Sequence, residues 1–86
     1  MSMMRAKFRV QNVSVYKDDD GNTTGERLSM HAVCRDGGYP ADGSDEDNTY
    51  ARWSPSGDFS IHIANPALFG KFEIGDKYYM DFTKAA

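Results

Sequence analysis

Apolar and polar residues alternate with a period of two along most of this chain, the pattern of half-buried antiparallel strands. Between Arg27 and Arg35, Leu28, Met30, Ala32 and Cys34 share one face. Arg27, Ser29, His31 and Arg35 share the other, with Val33 the exception. Phe59, Ile61 and Ile63 repeat the pattern, as do Tyr78, Met80 and Phe82. The first strand changes phase: Phe8 and Val10 are even, Val13 and Val15 odd. A one-residue slip would send half of this apolar set into water, so a β-bulge is predicted near Gln11 and Asn12. Pairing Lys17 with Glu26 sets Val15 against Leu28 and Val13 against Met30. Beyond the bulge it sets Val10 against Ala32 and Phe8 against Cys34.

Turn chemistry divides these strands. Residues 18–25 (DDDGNTTG) form a long hairpin loop. Residues 36–48 (DGGYPADGSDEDN) carry three glycines, one proline and five acids, which predicts an exposed, mobile acidic loop. Ser54-Pro55-Ser56-Gly57 reads as a tight hairpin linking a strand that ends at Trp53 to one that starts at Asp58. Asn65 before Pro66 caps a single helical or 3₁₀ turn that Gly70 ends. The predicted fold class is therefore all-β: a small five-stranded antiparallel sheet or barrel of SH3-like or OB-like connectivity. One short helical turn precedes the last strand, and residues 1–86 form a single domain.

Composition narrows the chemistry. One cysteine rules out an internal disulfide, and no CxxC or paired Cys/His spacing suggests structural zinc. No apolar run approaches the ~18 residues of a membrane span, and the start at Met1 has no apolar leader. The expected location is the cytoplasm, with no membrane association. The oxygens at Asp18, Asp20, Asn22, Thr24 and Glu26 alternate as in a calcium loop, but Thr23 and Ser29 stand where such a loop needs glycine and a bidentate acid. His31 and His62 lie on polar strand faces and Cys34 on the opposite one, which separates a nucleophile from its base. No phosphate-cradling glycine loop opens a helix. The expectation is a protein that is no enzyme and uses no metal or cofactor.

Charge is unevenly placed. The formal net charge is −3, yet residues 5–17 hold Arg5, Lys7, Arg9 and Lys17 and no acid. In the register above, Lys7 lies opposite Arg35, and Arg5, Arg9 and His31 share its face. Like charges facing each other across a ladder are destabilising. Either the acidic loop folds back over the cluster or the cluster receives an anion. Arg5, Lys7, Arg9, His31 and Arg35 are therefore the candidate anion-binding set. Asp42, Asp45, Glu46 and Asp47 could hold a divalent ion weakly or mimic phosphates toward a basic partner, and outward Tyr79 suits an interface. Trp53 and Phe59 are assigned to the core. The acidic total disfavours general nucleic-acid binding.

Residues 50–70 (YARWSPSGDFSIHIANPALFG) and 72–83 (FEIGDKYYMDFT) resemble a group of small proteins of tailed bacteriophages and prophages. The shared features are a W/Y-S/T-P-S-G hairpin, an N-P-A turn, a G-x-x-Y-x-x-D-F-T ending and, loosely, the opening Ala6–Val10. Residues 17–26 and 36–48 lie outside the resemblance. It implies an origin and no activity, because its motifs are turns and core positions. The expected function is a non-catalytic phage accessory protein, acting as a homo-oligomer that binds a host protein or a small anionic or nucleotide ligand. A virion component (a head decoration, or a head–tail or tail accessory protein) and a single-stranded nucleic-acid-binding module are the alternatives.

Overall fold

The computed structural model describes residues 3–86; the Met1–Ser2 start of the supposed leaderless segment lies outside them. Four strands, β1 (Met4–Lys17), β2 (Thr23–Ala32), β3 (Asp58–Ile63) and β4 (Lys77–Phe82), form one open antiparallel sheet in the order β3-β2-β1-β4. A 3₁₀ turn, Pro66–Leu68, lies on the crossover from β3 to β4, and the Asn65 side chain accepts the Ala67 N–H as its cap.

The bulge falls between Val10 and Asn12, where the change of phase predicts it. Each inward residue of β1 meets an inward residue of β2, but the register is slid by two. Phe8 faces Ala32, Val10 faces Met30, Val13 faces Leu28 and Val15 faces Glu26. The hairpin turn accounts for this slide. Asp18 Oδ1 accepts the N–H groups of Asp20 and Asn22 at 3.0 and 2.9 Å, which closes a tight turn and leaves Thr23–Gly25 free to pair. A shift of two keeps every side chain on its own face, so the hydrophobic pattern cannot distinguish the two registers. Glu26, inward in either register, therefore faces Val15 rather than Lys17; it is 3% exposed, with its Oε2 accepting the Gly70 N–H at 2.9 Å.

The expected strand ending at Trp53 is absent from the described residues, so the fold has four strands rather than five and the sheet stays open. Its backbone groups are spent on successive turns, Asn48 N–H to Asp45 and Ala51 N–H to Asn48. Trp53 then takes a left-handed conformation, φ 62°, that breaks any extended run. Ser54–Gly57 is thus a bend leading into β3. Trp53 is also outside the core at 52% exposure, with its edge against Tyr39, whereas Phe59 is half-buried and tilted against Phe8. Cys34 is exposed because β2 stops at Ala32, before the alternation can carry Cys34 inward.

The buried core is small: Ala6, Phe8, Val10, Leu28, Met30 and Ile63. The crossover packs Phe69 and Phe72 onto it, and Gly75 and Asp76 bond the Val10 backbone. Trp53 in turn covers Gly43, which has φ +72° and whose added Cβ would lie 2.4 Å from the indole. Gly43→Ala is therefore expected to cost about 1 kcal/mol or more from backbone conformation alone. A thermal melt should fall by at least about 4 °C; an unchanged melt would mean that residues 43–53 add nothing to stability.

Candidate functional site

The outward face of the sheet carries the charged residues, and its two ends differ. At the Arg5–Lys7 end, residues 43–50 run beside β1 in the place that β2 vacates after Ala32. Thr49 N–H donates to the Arg5 carbonyl at 2.9 Å, and Arg5 N–H donates to Thr49 Oγ1 at 2.9 Å. Asn48, fully buried, fits its carboxamide between the diverging chains. Its Oδ1 accepts the Lys7 N–H at 2.8 Å and its Nδ2 donates to the Val33 carbonyl at 2.8 Å. Asp45, 4% exposed, holds the segment from the other side. It accepts the N–H groups of Arg35, Asp47 and Asn48 and the Asn48 side-chain amide. Residues 36–42 are largely exposed, as the acidic loop was expected to be, but Gly43, Asp45 and Asn48 are buried anchors.

The acids of residues 36–47 meet two of the five candidate anion-binding residues, Lys7 and Arg35. Asp47 accepts a bond from Lys7 Nζ at 3.1 Å and one from the Tyr79 hydroxyl at 3.0 Å. Asp36 lies 3.7 Å from the same ammonium, and Glu46 lies 3.2 Å from Arg35. Arg5 pairs with Asp81 on β4 at 2.7 and 3.1 Å and stacks 4.4 Å over the Tyr79 ring. The Asp47 hydrogen bond holds the Lys7 ammonium and the Tyr79 phenol above their ordinary pKa values, and the Arg5 bond holds Asp81 below its own. Lys7 faces Val33 and Tyr79 rather than Arg35, because of the two-residue slide. Tyr79, chosen as an interface anchor, is half-exposed but engaged within the chain. Asp42 caps the Ser44 N–H, which draws its pKa down. Among the described residues, no group of three His, Cys, Asp or Glu is arranged to hold a metal ion.

Burial pushes the Asp45 carboxyl upward, but its hydrogen bonds, led by the Asn48 amide, outweigh burial and set its pKa below the ordinary value. The native pKa is thus the lower one. The stabilisation is complete above the usual aspartate value of about 4 and is lost as pH falls through the lowered native pKa. Acidification should release residues 43–53, read as a change in Trp53 fluorescence centred below about pH 4. A midpoint above that value would exclude Asp45 as the controlling group.

At the other end of the outward face, Arg9 and His31 border a cavity of about 240 Å³ with Gln11, Val33 and Ile74. Arg9 has no ion pair among the described residues, and His31 Nδ1 lies 3.9 Å from Asp58. The inward face holds a second feature that the pattern alone does not reveal. It is a trough of about 280 Å³ with entirely apolar walls, running from Phe59 and Ile61 on β3 over Leu28 and Met30 to Tyr78 and Met80 on β4, with Leu68 and Phe72 at the crossover. The alternation marks every strand residue in it as inward. With the fifth strand missing, the trough's outer members Ile61 and Leu68 stay 45% and 43% exposed while Leu28 and Met30 beneath are buried. Comparison with protein-family models, with curated proteins and with solved structures gives no match to this chain.

Proposed function

We propose that this protein is a non-catalytic accessory protein of the bacteriophage kind that its sequence resembles. In this reading it works in the host cytoplasm by binding, as a homodimer closed on its apolar troughs. The observation that carries the reading is the uncovered inward face. Ile61, Leu68 and Phe82 are each more than 40% exposed there, beside a core of six buried apolar side chains among the described residues.

Surface area supports the same reading. The chain exposes 6038 Å², about 900 Å² more than the roughly 5,100 Å² usual for a monomer of its 9.6 kDa mass. Its Cα extents are 56 × 33 × 16 Å, so it is one thin layer. Residues 15–22 at the β1–β2 hairpin tip are all exposed and contribute to that excess together with the open trough. A standard interface removes about 800 Å² from each partner. The trough walls carry no charge, so they offer a charged partner nothing to pair with. A second copy presents the same apolar surface across a two-fold axis, which makes the contact self-complementary. Two open sheets closed on each other also supply the closed β architecture that the alternation led one to expect within one chain.

A binding role rather than a catalytic one is supported by how the ionisable groups at the Arg5 end are used. Lys7, Asp45 and Asp47 are committed to structural bonds, and Arg5 is held between Asp81 and Tyr79. No helix among the described residues is long and apolar enough to cross a membrane. Native mass spectrometry of the protein purified from its host tests the reading. The expected result is a species of twice the chain mass; a single-chain mass at micromolar concentration would overturn the dimer. Mass spectrometry of purified phage particles separates an accessory protein, absent from them, from a virion component present in many copies.

A further inference from the structure

The anion question has a sharper answer at the Arg9 end of the outward face. Arg9 stands opposite His31 on β2 and Lys77 on β4, and His31 stands opposite Asp58 on β3. Residues opposed across a ladder share a face, so Lys77, Arg9 and His31 form one row across three strands. Arg9 and Lys77 are like charges placed directly against each other, an arrangement that is unfavourable unless something compensates it. Asp36, Asp47 and Glu46 of the 36–47 segment are spent on Lys7 and Arg35, and Asp81 on β4 is spent on Arg5. Among the described residues, no carboxylate pairs with Arg9 or Lys77. Asp58 approaches only His31, and the Asp76 carboxylate is turned to the Glu73 N–H at 3.3 Å.

The cavity beside this row joins that charge to an apolar wall. Arg9, Gln11 and His31 line one part of it; Val10, Val33 and Ile74 line the rest, Ile74 is 66% exposed, and Lys77 stands beside the cavity opposite Arg9 rather than in its lining. A guanidinium suits bidentate contact with phosphate or carboxylate oxygens, and the neighbouring ammonium adds a second charge. At about 240 Å³ the space is smaller than a drug-sized pocket and suits an anion with one ring attached.

We infer that this cavity is a binding site for a small phosphate-bearing ligand that carries an aromatic ring, such as a nucleoside monophosphate. Arg9 and Lys77 hold the phosphate, His31 and Gln11 supply further hydrogen bonds, and Ile74 and Val33 cover the ring. The site lies on the face opposite the apolar trough. It therefore stands open whether or not two chains pair, and it does not depend on the dimer.

The test is an NMR titration of the isotope-labelled protein with inorganic phosphate and with adenosine 5′-monophosphate, at ionic strength held constant with chloride. Both probes should saturably shift the amides of Arg9, Gln11, His31 and Ile74, with the nucleotide several-fold tighter. Arg9→Gln should weaken both by about tenfold or more, the worth of one charge-assisted hydrogen bond. Lys77→Gln should weaken both in the same direction. Arg27→Gln, an outward cation bonded to Ser60, should change neither. Arg9 and Lys77 are exposed, so these variants are expected to fold, and their amide spectra report it directly. The inference is overturned by any of three results: shifts spread evenly over the chain's cations, equal affinity for the two probes, or undiminished binding in Arg9→Gln.

Discussion

Replacing Asn48 with alanine is expected to destabilise the fold by about 3 kcal/mol or more. The carboxamide does the work of a peptide group where β2 has left the sheet, bonding the Lys7 N–H, the Val33 carbonyl and Asp45 Oδ2. Its site is completely buried, so water cannot take over these bonds without opening the segment. Each buried polar group left without a partner costs about 1–3 kcal/mol, and the substitution orphans at least two. Against a total stability of about 5–15 kcal/mol, this is a large share. The thermal midpoint should drop by about 12 °C or more. Asn48→Asp separates the acceptor from the donor. It keeps an oxygen for Lys7 but removes both donor bonds and sets a carboxylate against Asp45, so at neutral pH it should be no more stable than alanine. A melt for Asn48→Ala within about 2 °C of the parent would show that the 43–50 segment is not tied to β1 through this side chain.

The importance of Asn48 was not legible in the sequence, and the reason is physical. Period-two alternation reports which face a side chain occupies, and Asn48 acts in the plane of the sheet, where a strand's backbone would be. The same limit explains the register. The alternation located the bulge, because a slip of one reverses the faces, but it could not detect a slide of two set by the Asp18 turn. The turn at Asn65–Leu68 was legible because its signal is local: a capping side chain followed by proline.

The basic cluster was legible as a composition. Its division was not. Whether Lys7 meets Asp47 while Arg9 meets nothing depends on where a 25-residue connection between β2 and β3 returns to the sheet, and that in turn depends on Asp45 and Asn48. Of the expected alternatives, the acidic loop folded over the cluster describes the Lys7 and Arg35 positions, and receipt of an anion stays a proposal for the Arg9 end. The loop occupies the Arg5–Lys7 end. The Arg9 end, which carries no ion pair among the described residues, is where we propose that an anion binds.

Changing Ile61 to aspartate is expected to abolish the proposed dimer while leaving the chain folded. Ile61 is 45% exposed on β3, so in a single chain the new carboxylate reaches water and the core beneath is unaltered. Across closed troughs it would be dehydrated with apolar walls on every side. By two-fold symmetry each dimer would carry two such charges. Together they should cost at least about 4 kcal/mol, a roughly thousandfold loss in association. Light scattering or native mass spectrometry should then report twice the 9.6 kDa chain mass for the parent and a single chain for Ile61→Asp, with matching circular dichroism. Leu68→Asp, at the crossover rim of the same trough, should behave likewise. Tyr79→Ala, on the opposite face, removes an equally exposed aromatic side chain and should leave the dimer intact. If Ile61→Asp keeps the doubled mass, the copies meet elsewhere. The free edges of β3 and β4 would then be the surfaces left to join them, and the trough would need a different occupant.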